Sequence, residues 1–159
     1  HDAPLDGVTM AQAMITHGAM HPEIFNQSAP QQPTLPADGL KTVNNQLPAA
    51  KWLFDSSRAR APLADANHIL YLVRANQLFI AGHKKTLEQG LANVTAKSLF
   101  LPSSNDLLLM PYMAEHANAM LNDLGKQSEL EYIEGPWGHL NGLFSIQSKA
   151  TKLTQFLNQ

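Results

Sequence analysis

Two residues of this chain, Asp106 and His139, have the types and positions needed for proton-transfer chemistry. Asp106 follows the apolar residues 99–101 within a polar turn, and His139 follows a second apolar segment within the turn Gly-Pro-Trp-Gly-His. Imidazole accepts and returns a proton near neutral pH, and a neighbouring carboxylate can fix its tautomer and stabilise the imidazolium. Either residue alone is typical of a turn cap or a structural histidine. Together, at matching strand ends, they favour a catalytic pair.

Two strands and an intervening helix are predicted to position this pair. The strands are predicted over residues 98–101 and 130–133, and the helix from Pro111 to Gly125. A strand, helix and strand of this length predict a right-handed crossover between parallel strands. Ligand sites in open sheets of this kind lie beyond the carboxyl ends of the strands. We therefore expect Asp106 and His139 side by side, on exposed turns at one edge of a sheet.

A nucleophile is the component that this pair lacks. Asp before His, both on loops after strands, is the latter part of the Ser…Asp…His chain order of α/β-hydrolases. The Gly-x-Ser-x-Gly motif that presents the serine in that fold is absent from the sequence. The chain also begins with His1 and shows no signal-peptide pattern. We interpret it as part of a longer protein whose nucleophile and first strands lie upstream.

Upstream of residue 90 the apolar spacing predicts helices. Thr9 is a candidate N-cap of a first helix, and Pro22 suits the first position of a second. A strongly amphipathic helix is predicted from residue 63 to about 81 with Asp65 as its N-cap. On this helix Tyr71 and Arg74 are candidate substrate-binding residues. Residues 28–50 are rich in proline and are predicted to form a loop.

Composition excludes several other functions. The 159 residues are 44% hydrophobic and 15% charged, which is typical of a globular chain. A net charge of -2 with scattered Lys and Arg argues against nucleic-acid binding, and no apolar run could cross a bilayer. The absence of cysteine removes disulfides, thiolate zinc sites and a cysteine nucleophile. His17 and His21 have metal-ligand spacing, but no acidic residue completes a motif, so we predict no metal site. We also predict a cytoplasmic location.

Three segments carry a resemblance to a known family. DANHILYLVRA at residues 65–75, LFLPSSNDLLL at 99–109 before Pro111, and YIEGPWGH at 132–139 resemble the C-terminal half of homoserine O-acetyltransferases. These are α/β-hydrolase-fold acyltransferases with a helical lid inserted before the last strands. The resemblance implies an α/β fold with parallel strands and flanking helices. Residues 1–90 would then be the helical lid and connection, and residues 91–159 the C-terminal part of the hydrolase core.

The same resemblance implies roles and partners. It makes Asp106 and His139 two members of a catalytic triad and acetyl-CoA the acyl donor, with no bound cofactor. It also implies a homodimer formed through the lid helices, and a missing N-terminal half of the same protein as a necessary partner. No nucleic acid or membrane partner is implied.

One position departs from the family pattern. The family has an acidic residue directly after the catalytic His, thought to hold the substrate ammonium, whereas this chain has Leu140. A leucine cannot pair with an ammonium, and burial of an unpaired charge is costly. Leu140 is therefore a third candidate substrate-binding residue. The sequence predicts acetyl transfer from acetyl-CoA through an upstream Ser to an alcohol. Two alternatives are ester hydrolysis on the same fold and a fragment that is inactive without its N-terminal half.

Overall fold

The computed structural model describes residues 4–29 and 46–158. The chain divides into two compact units, His1–Leu72 and Val73–Gln159. This division falls at 72/73, within a helix, whereas the predicted lid and core meet at 90/91. Compactness does not identify a lid, so the assignment of residues 1–90 and 91–159 stays a prediction.

Helices make up the described part of the first unit. Pro22 and Pro48 each occupy the first turn of a helix, where the missing N–H costs nothing. The proline-rich residues 30–45 of the predicted loop lie outside the described residues. The helices are α1 (Leu5–Ala19), α2 (Pro22–Ser28), α3 (Pro48–Arg60) with a 3₁₀ turn (Ala61–Leu63), and α4 (Ala66–Leu78), which runs on into the second unit.

Helices α1 and α3 pack against each other, and small apolar residues such as Ala13 and Ala61 are buried in the first unit. Among the predicted caps, Asp65 is confirmed, because its Oδ1 accepts a hydrogen bond of 2.7 Å from the backbone N–H of His68. Thr9 is not an N-cap. It lies inside α1, where its hydroxyl donates to the carbonyl of Leu5.

The second unit contains a small parallel sheet with flanking helices, as an α/β fold requires. Its elements in chain order are a 3₁₀ turn (Ala81–His83), α5 (Leu87–Leu91), β1 (Ser98–Phe100), α6 (Pro111–Asp123), β2 (Ser128–Leu130), α7 (Asn141–Phe144), a 3₁₀ turn (Ile146–Lys149) and α8 (Ala150–Leu157).

Strand β2 begins and ends earlier than the predicted 130–133. Ser98 pairs with Ser128 and Phe100 with Leu130, in parallel register. Beyond this ladder the two segments that follow β1 and β2 stay adjacent through an isolated bridge between Ser103 and Ile133. Pro102 has no N–H to donate, so the regular ladder cannot continue past β1.

Helix α6 brings the chain back from β1 to β2, as the crossover prediction requires. Its Leu121 is only 1% exposed, and its C-terminus is closed by Gly125 at φ +71°. The backbone N–H of Gly125 donates to Asn122, and that of Lys126 to Leu121, which is the Schellman arrangement. None of the helices in the described ranges combines the length and apolar character needed to span a bilayer.

Candidate acid–base site

Asp106 is fixed in the turn that follows β1. Its Oδ1 accepts hydrogen bonds from the backbone N–H groups of Leu108, at 2.8 Å, and Leu109, at 2.9 Å. The side chain is only 7% exposed, so the expected exposed turn is wrong for this residue. The carboxylate is buried because it caps the turn that follows it. These two bonds hold one carboxylate oxygen in place and leave the other to face a second partner.

That partner is His139. Its Nδ1 lies 2.8 Å from Oδ2 of Asp106, so the two turns meet as the strand order predicts. Gly138 precedes it with φ +65°, a conformation that glycine adopts without strain and that turns the chain sharply toward the carboxylate. A carboxylate can only accept, so Nδ1 carries the proton, and in the neutral ring Nε2 therefore keeps its lone pair.

Nε2 of His139 makes no hydrogen bond with any residue in the described ranges. The side chain is 35% exposed and lines a cavity, so an incoming group can reach the ring. A base whose tautomer is set by a buried carboxylate can accept a proton from a hydroxyl or a water molecule.

A cavity of about 510 Å³ lies beside the pair. Asp106, His139 and Ser103 supply polar groups to its wall. The rest of its lining is mostly apolar, and includes Phe100, Leu101, Pro102, Leu109, Met110, Met113, Ala114 and Ala117. Such a wall suits an apolar acyl or alkyl group, because it offers few partners for a charged one.

Ser103 is not a nucleophile for this base. It is buried, and its Oγ donates to Asn105 and accepts from Asn141. No described serine hydroxyl hydrogen-bonds to His139. The described residues therefore bring a base and its orienting carboxylate together without a nucleophile. They also contain no group of three or more His, Cys, Asp or Glu side chains able to hold a metal.

The predicted substrate-binding residues lie on helix α4 and directly after His139. Tyr71 lies on α4 in the first unit and is 78% exposed. Arg74 donates from Nη1 to Gln77 of the same helix at 3.4 Å and does not line the cavity. Leu140 is half-buried directly after His139, at the N-cap position of α7, and is also absent from the cavity lining. A substrate-binding role for each of these residues stays a prediction.

Sequence reasoning missed Asn141 and Asn105. Asn141 is fully buried and hydrogen-bonds to both turns of the site. Asn105 donates from Nδ2 to the carbonyl of Gly135 at 3.0 Å. The available signal was their placement: one asparagine directly precedes Asp106, and the other follows His139 by two positions.

No protein-family model matches the chain. Among curated proteins, homoserine O-acetyltransferase from Geobacter sulfurreducens is 30% identical over 121 residues, which are 76% of this chain and 33% of that protein. Homoserine O-acetyltransferase from Citrifermentans bemidjiense is 35% identical over 96 residues, or 60% of this chain and 26% of that protein. The chain thus matches only about a quarter to a third of these relatives' lengths.

Two solved structures resemble nearly the whole chain. A structure of esterase E22 shares 40% identity and a TM-score of 0.89, covering 98% of this chain and 43% of that one. Homoserine O-acetyltransferase from Bacillus anthracis shares 27% identity and a TM-score of 0.92, covering 100% of this chain and 43% of that one. These likenesses confirm the α/β-hydrolase fold and the resemblance to the homoserine O-acetyltransferase family.

Proposed function

We propose that this chain supplies the histidine and the aspartate of a Ser-His-Asp acyl-transfer site. It shares the α/β-hydrolase fold of homoserine O-acetyltransferases and of an esterase. The observation that supports this is the 2.8 Å contact between Asp106 and His139 beside an apolar cavity, with Nε2 open. The serine comes from a further part of the protein, upstream in sequence. That part is then a required partner of this chain.

His139 moves the proton in both halves of the reaction. In the first half, Nε2 takes the serine proton while the hydroxyl attacks the carbonyl of an ester or thioester. The imidazolium then protonates the leaving alcohol or thiol, which leaves an acyl-serine. In the second half, water or an alcohol gives its proton to Nε2 and attacks the acyl-serine, and the imidazolium then protonates the serine oxygen as its bond to the acyl group breaks and the acid or new ester leaves. Asp106 keeps Nδ1 protonated and stabilises the imidazolium throughout.

The proposed acceptor of the transfer reaction is an uncharged alcohol, in preference to homoserine. Leu140 follows the base and offers no charge for an ammonium group, and the cavity wall is mainly apolar. Acetyl-CoA is the proposed donor for the transfer reaction; the names of the curated relatives support transfer of an acetyl group. Ester hydrolysis is the second candidate, and the 40% identity with an esterase supports it.

A thiol-release assay and an aryl acetate assay on the complete protein separate these acceptors. Release of thiol from acetyl-CoA that depends on an alcohol indicates transfer. Rapid hydrolysis of p-nitrophenyl acetate without alcohol-dependent thiol release indicates an esterase. Thiol release that requires homoserine would contradict the proposed acceptor.

His139→Ala tests the base itself in the same assays. We expect turnover of the complete protein to fall by at least about 10⁴-fold, since the members of such a triad act as a unit and loss of the base costs at least as much as loss of its orienting carboxylate. His116→Ala is the matched control, because His116 is exposed on α6 and does not line the cavity. Retention of near-normal turnover by the His139 variant would refute the assignment.

A fluorophosphonate probe tests the location of the nucleophile. We expect covalent labelling of the complete protein and none of this chain alone. Labelling of any serine within residues 1–159 would overturn the upstream assignment.

We also propose that the helices within residues 1–90 pair two subunits of the complete protein. Light scattering should then give twice the mass of the monomer.

A further inference from the structure

A fully buried amide, that of Asn141, links the two turns that carry Asp106 and His139. On one side, its Nδ2 donates to Ser103 Oγ and Asn105 Oδ1, both at 2.9 Å, in the turn before Asp106. On the other side, its Oδ1 accepts from the backbone N–H of Trp137 at 3.2 Å, two residues before His139. One side chain thus contacts both turns.

The remaining contacts fix the orientation of this amide. Nδ2 also lies 3.0 Å from the carbonyl of Gly135, and Oδ1 accepts from Ser145 Oγ at 2.9 Å. A backbone N–H only donates and a carbonyl only accepts, so the bonds to Trp137 and Gly135 set which end of the amide is oxygen. A leucine or alanine at this position would remove the partner of the Trp137 N–H and would leave the Ser103 hydroxyl, the Asn105 side chain and the Gly135 carbonyl with only their bonds to one another.

The other links between the two segments lie before residue 136. Ser104 donates from its backbone N–H to Ile133 and from Oγ to Glu134, the N–H of Ile133 donates to Pro102, and Asn105 donates to Gly135. Two links join residues 136–140 to the Asp106 turn among the described hydrogen bonds. One is the contact between Asp106 and His139, and the other runs from the backbone N–H of Trp137 through the Asn141 side chain.

The backbone near Asn141 is shaped to admit it. Gly135 does not have a positive φ, so an alanine could adopt its backbone conformation. A Cβ at Gly135 would nevertheless collide with Oδ1 of Asn141 and with Ser145 Oγ. The glycine is therefore required by the buried amide and not by the turn.

We propose that Asn141 is a positioning residue that keeps the imidazole of His139 at hydrogen-bond distance and in line with the carboxylate of Asp106. It touches neither the substrate nor the reacting atoms, and acts through the two turns. The proposal rests on the proposed acid–base function of the pair. It assigns Asn141, Asn105 and Gly135 to one unit that holds the two turns so that Asp106 can set the tautomer of His139.

Two variants test this role by different routes. Asn141→Ala removes the amide, and Gly135→Ala displaces it without removing any polar group. In the complete protein we expect each to lower kcat by about 10–100-fold with KM changed less than twofold, since a small misplacement of a catalytic group costs about this much. The double variant should be about as slow as Asn141→Ala, because the added Cβ then meets only Ser145 Oγ, a hydroxyl that can turn to another rotamer. Asn122→Ala, at an exposed position of α6, is the control.

A spectroscopic readout separates positioning from stability. In the ¹⁵N-labelled complete protein, His139 should show a protonated Nδ1 and an unprotonated Nε2, and the folded Asn141→Ala variant should show a mixture of both tautomers. Should that variant fail to fold, Ser145→Ala, which removes one donor to Oδ1, is expected to give a smaller change in the same direction. An unchanged tautomer, or an unchanged kcat in a folded variant, would overturn the proposal.

The failure of this proposal can be told from the failure of the proposed function. If His139→Ala leaves turnover intact, the acid–base function is wrong, and the tautomer measurement still decides whether Asn141 positions the ring. If His139→Ala abolishes turnover while Asn141→Ala and Gly135→Ala do not lower kcat, only the positioning role is wrong.

Discussion

Asp106→Asn is the substitution that most directly tests the chemistry of the pair. Oδ1 of Asp106 accepts from two backbone N–H groups, those of Leu108 and Leu109, so an asparagine keeps its oxygen on that side. Its NH₂ group then faces Nδ1 of His139. Two donors cannot share a hydrogen bond, so the ring must turn Nδ1 into an acceptor and carry its proton on Nε2. In that tautomer it cannot take a proton from a hydroxyl.

The expected magnitude follows from this geometry. A tautomer error of this kind lowers kcat by about 10³–10⁴-fold, equivalent to roughly 4–5.5 kcal/mol in the activation barrier. Stability should change little, because the turn keeps both capping bonds. Asp106→Ala loses those bonds as well. Since Leu108 and Leu109 are 46% and 57% exposed, water can replace part of them, and we expect a loss of about 1–2 kcal/mol in unfolding free energy.

The assay is hydrolysis of p-nitrophenyl acetate by the complete protein, with urea unfolding measured on the same samples. Asp123→Asn is the matched control, since Asp123 is exposed at the end of α6. If Asp106→Asn keeps kcat within tenfold of the parent protein while remaining folded, the carboxylate does not orient the base and the reasoning is refuted.

Three further substitutions test the acceptor, an ion pair and a helix terminus. Leu140→Asp should raise thiol release from acetyl-CoA with homoserine relative to an uncharged alcohol, and an unchanged ratio would remove Leu140 from acceptor choice. The hydrogen bond from Lys149 lowers the pKa of Glu131 below 4.5. The stabilisation that Glu131 contributes is therefore present above pH 4.5 and lost as the pH falls below it. In the Glu131→Gln variant, the free energy of unfolding in urea should fall less steeply with decreasing pH below 4.5 than in the parent protein, and an unchanged slope would contradict this. Gly125→Ala, at φ +71°, should destabilise by roughly 1–2 kcal/mol in urea, whereas Gly7→Ala, inside α1, should not.

Local features of the fold follow from the sequence because they depend on neighbouring residues. The cap at Asp65, the helix starts at Pro22 and Pro111, and the glycine stop at Gly125 each express a preference of one or two residues. The meeting of Asp106 and His139 was also predictable, although they are 33 residues apart, since parallel strands joined by a helix place their carboxyl ends together.

Other features depend on which atoms meet across the chain, and only the tertiary structure decided them. The sequence predicted a strand at residues 130–133, but the partner strand determines the register, and the ladder ends where Pro102 has no N–H to give. Asp106 reads as an exposed turn residue, yet it is buried because it caps the backbone after it. The role of Asn141 is invisible in the sequence, since an asparagine becomes a link between two turns only when folding buries it between them.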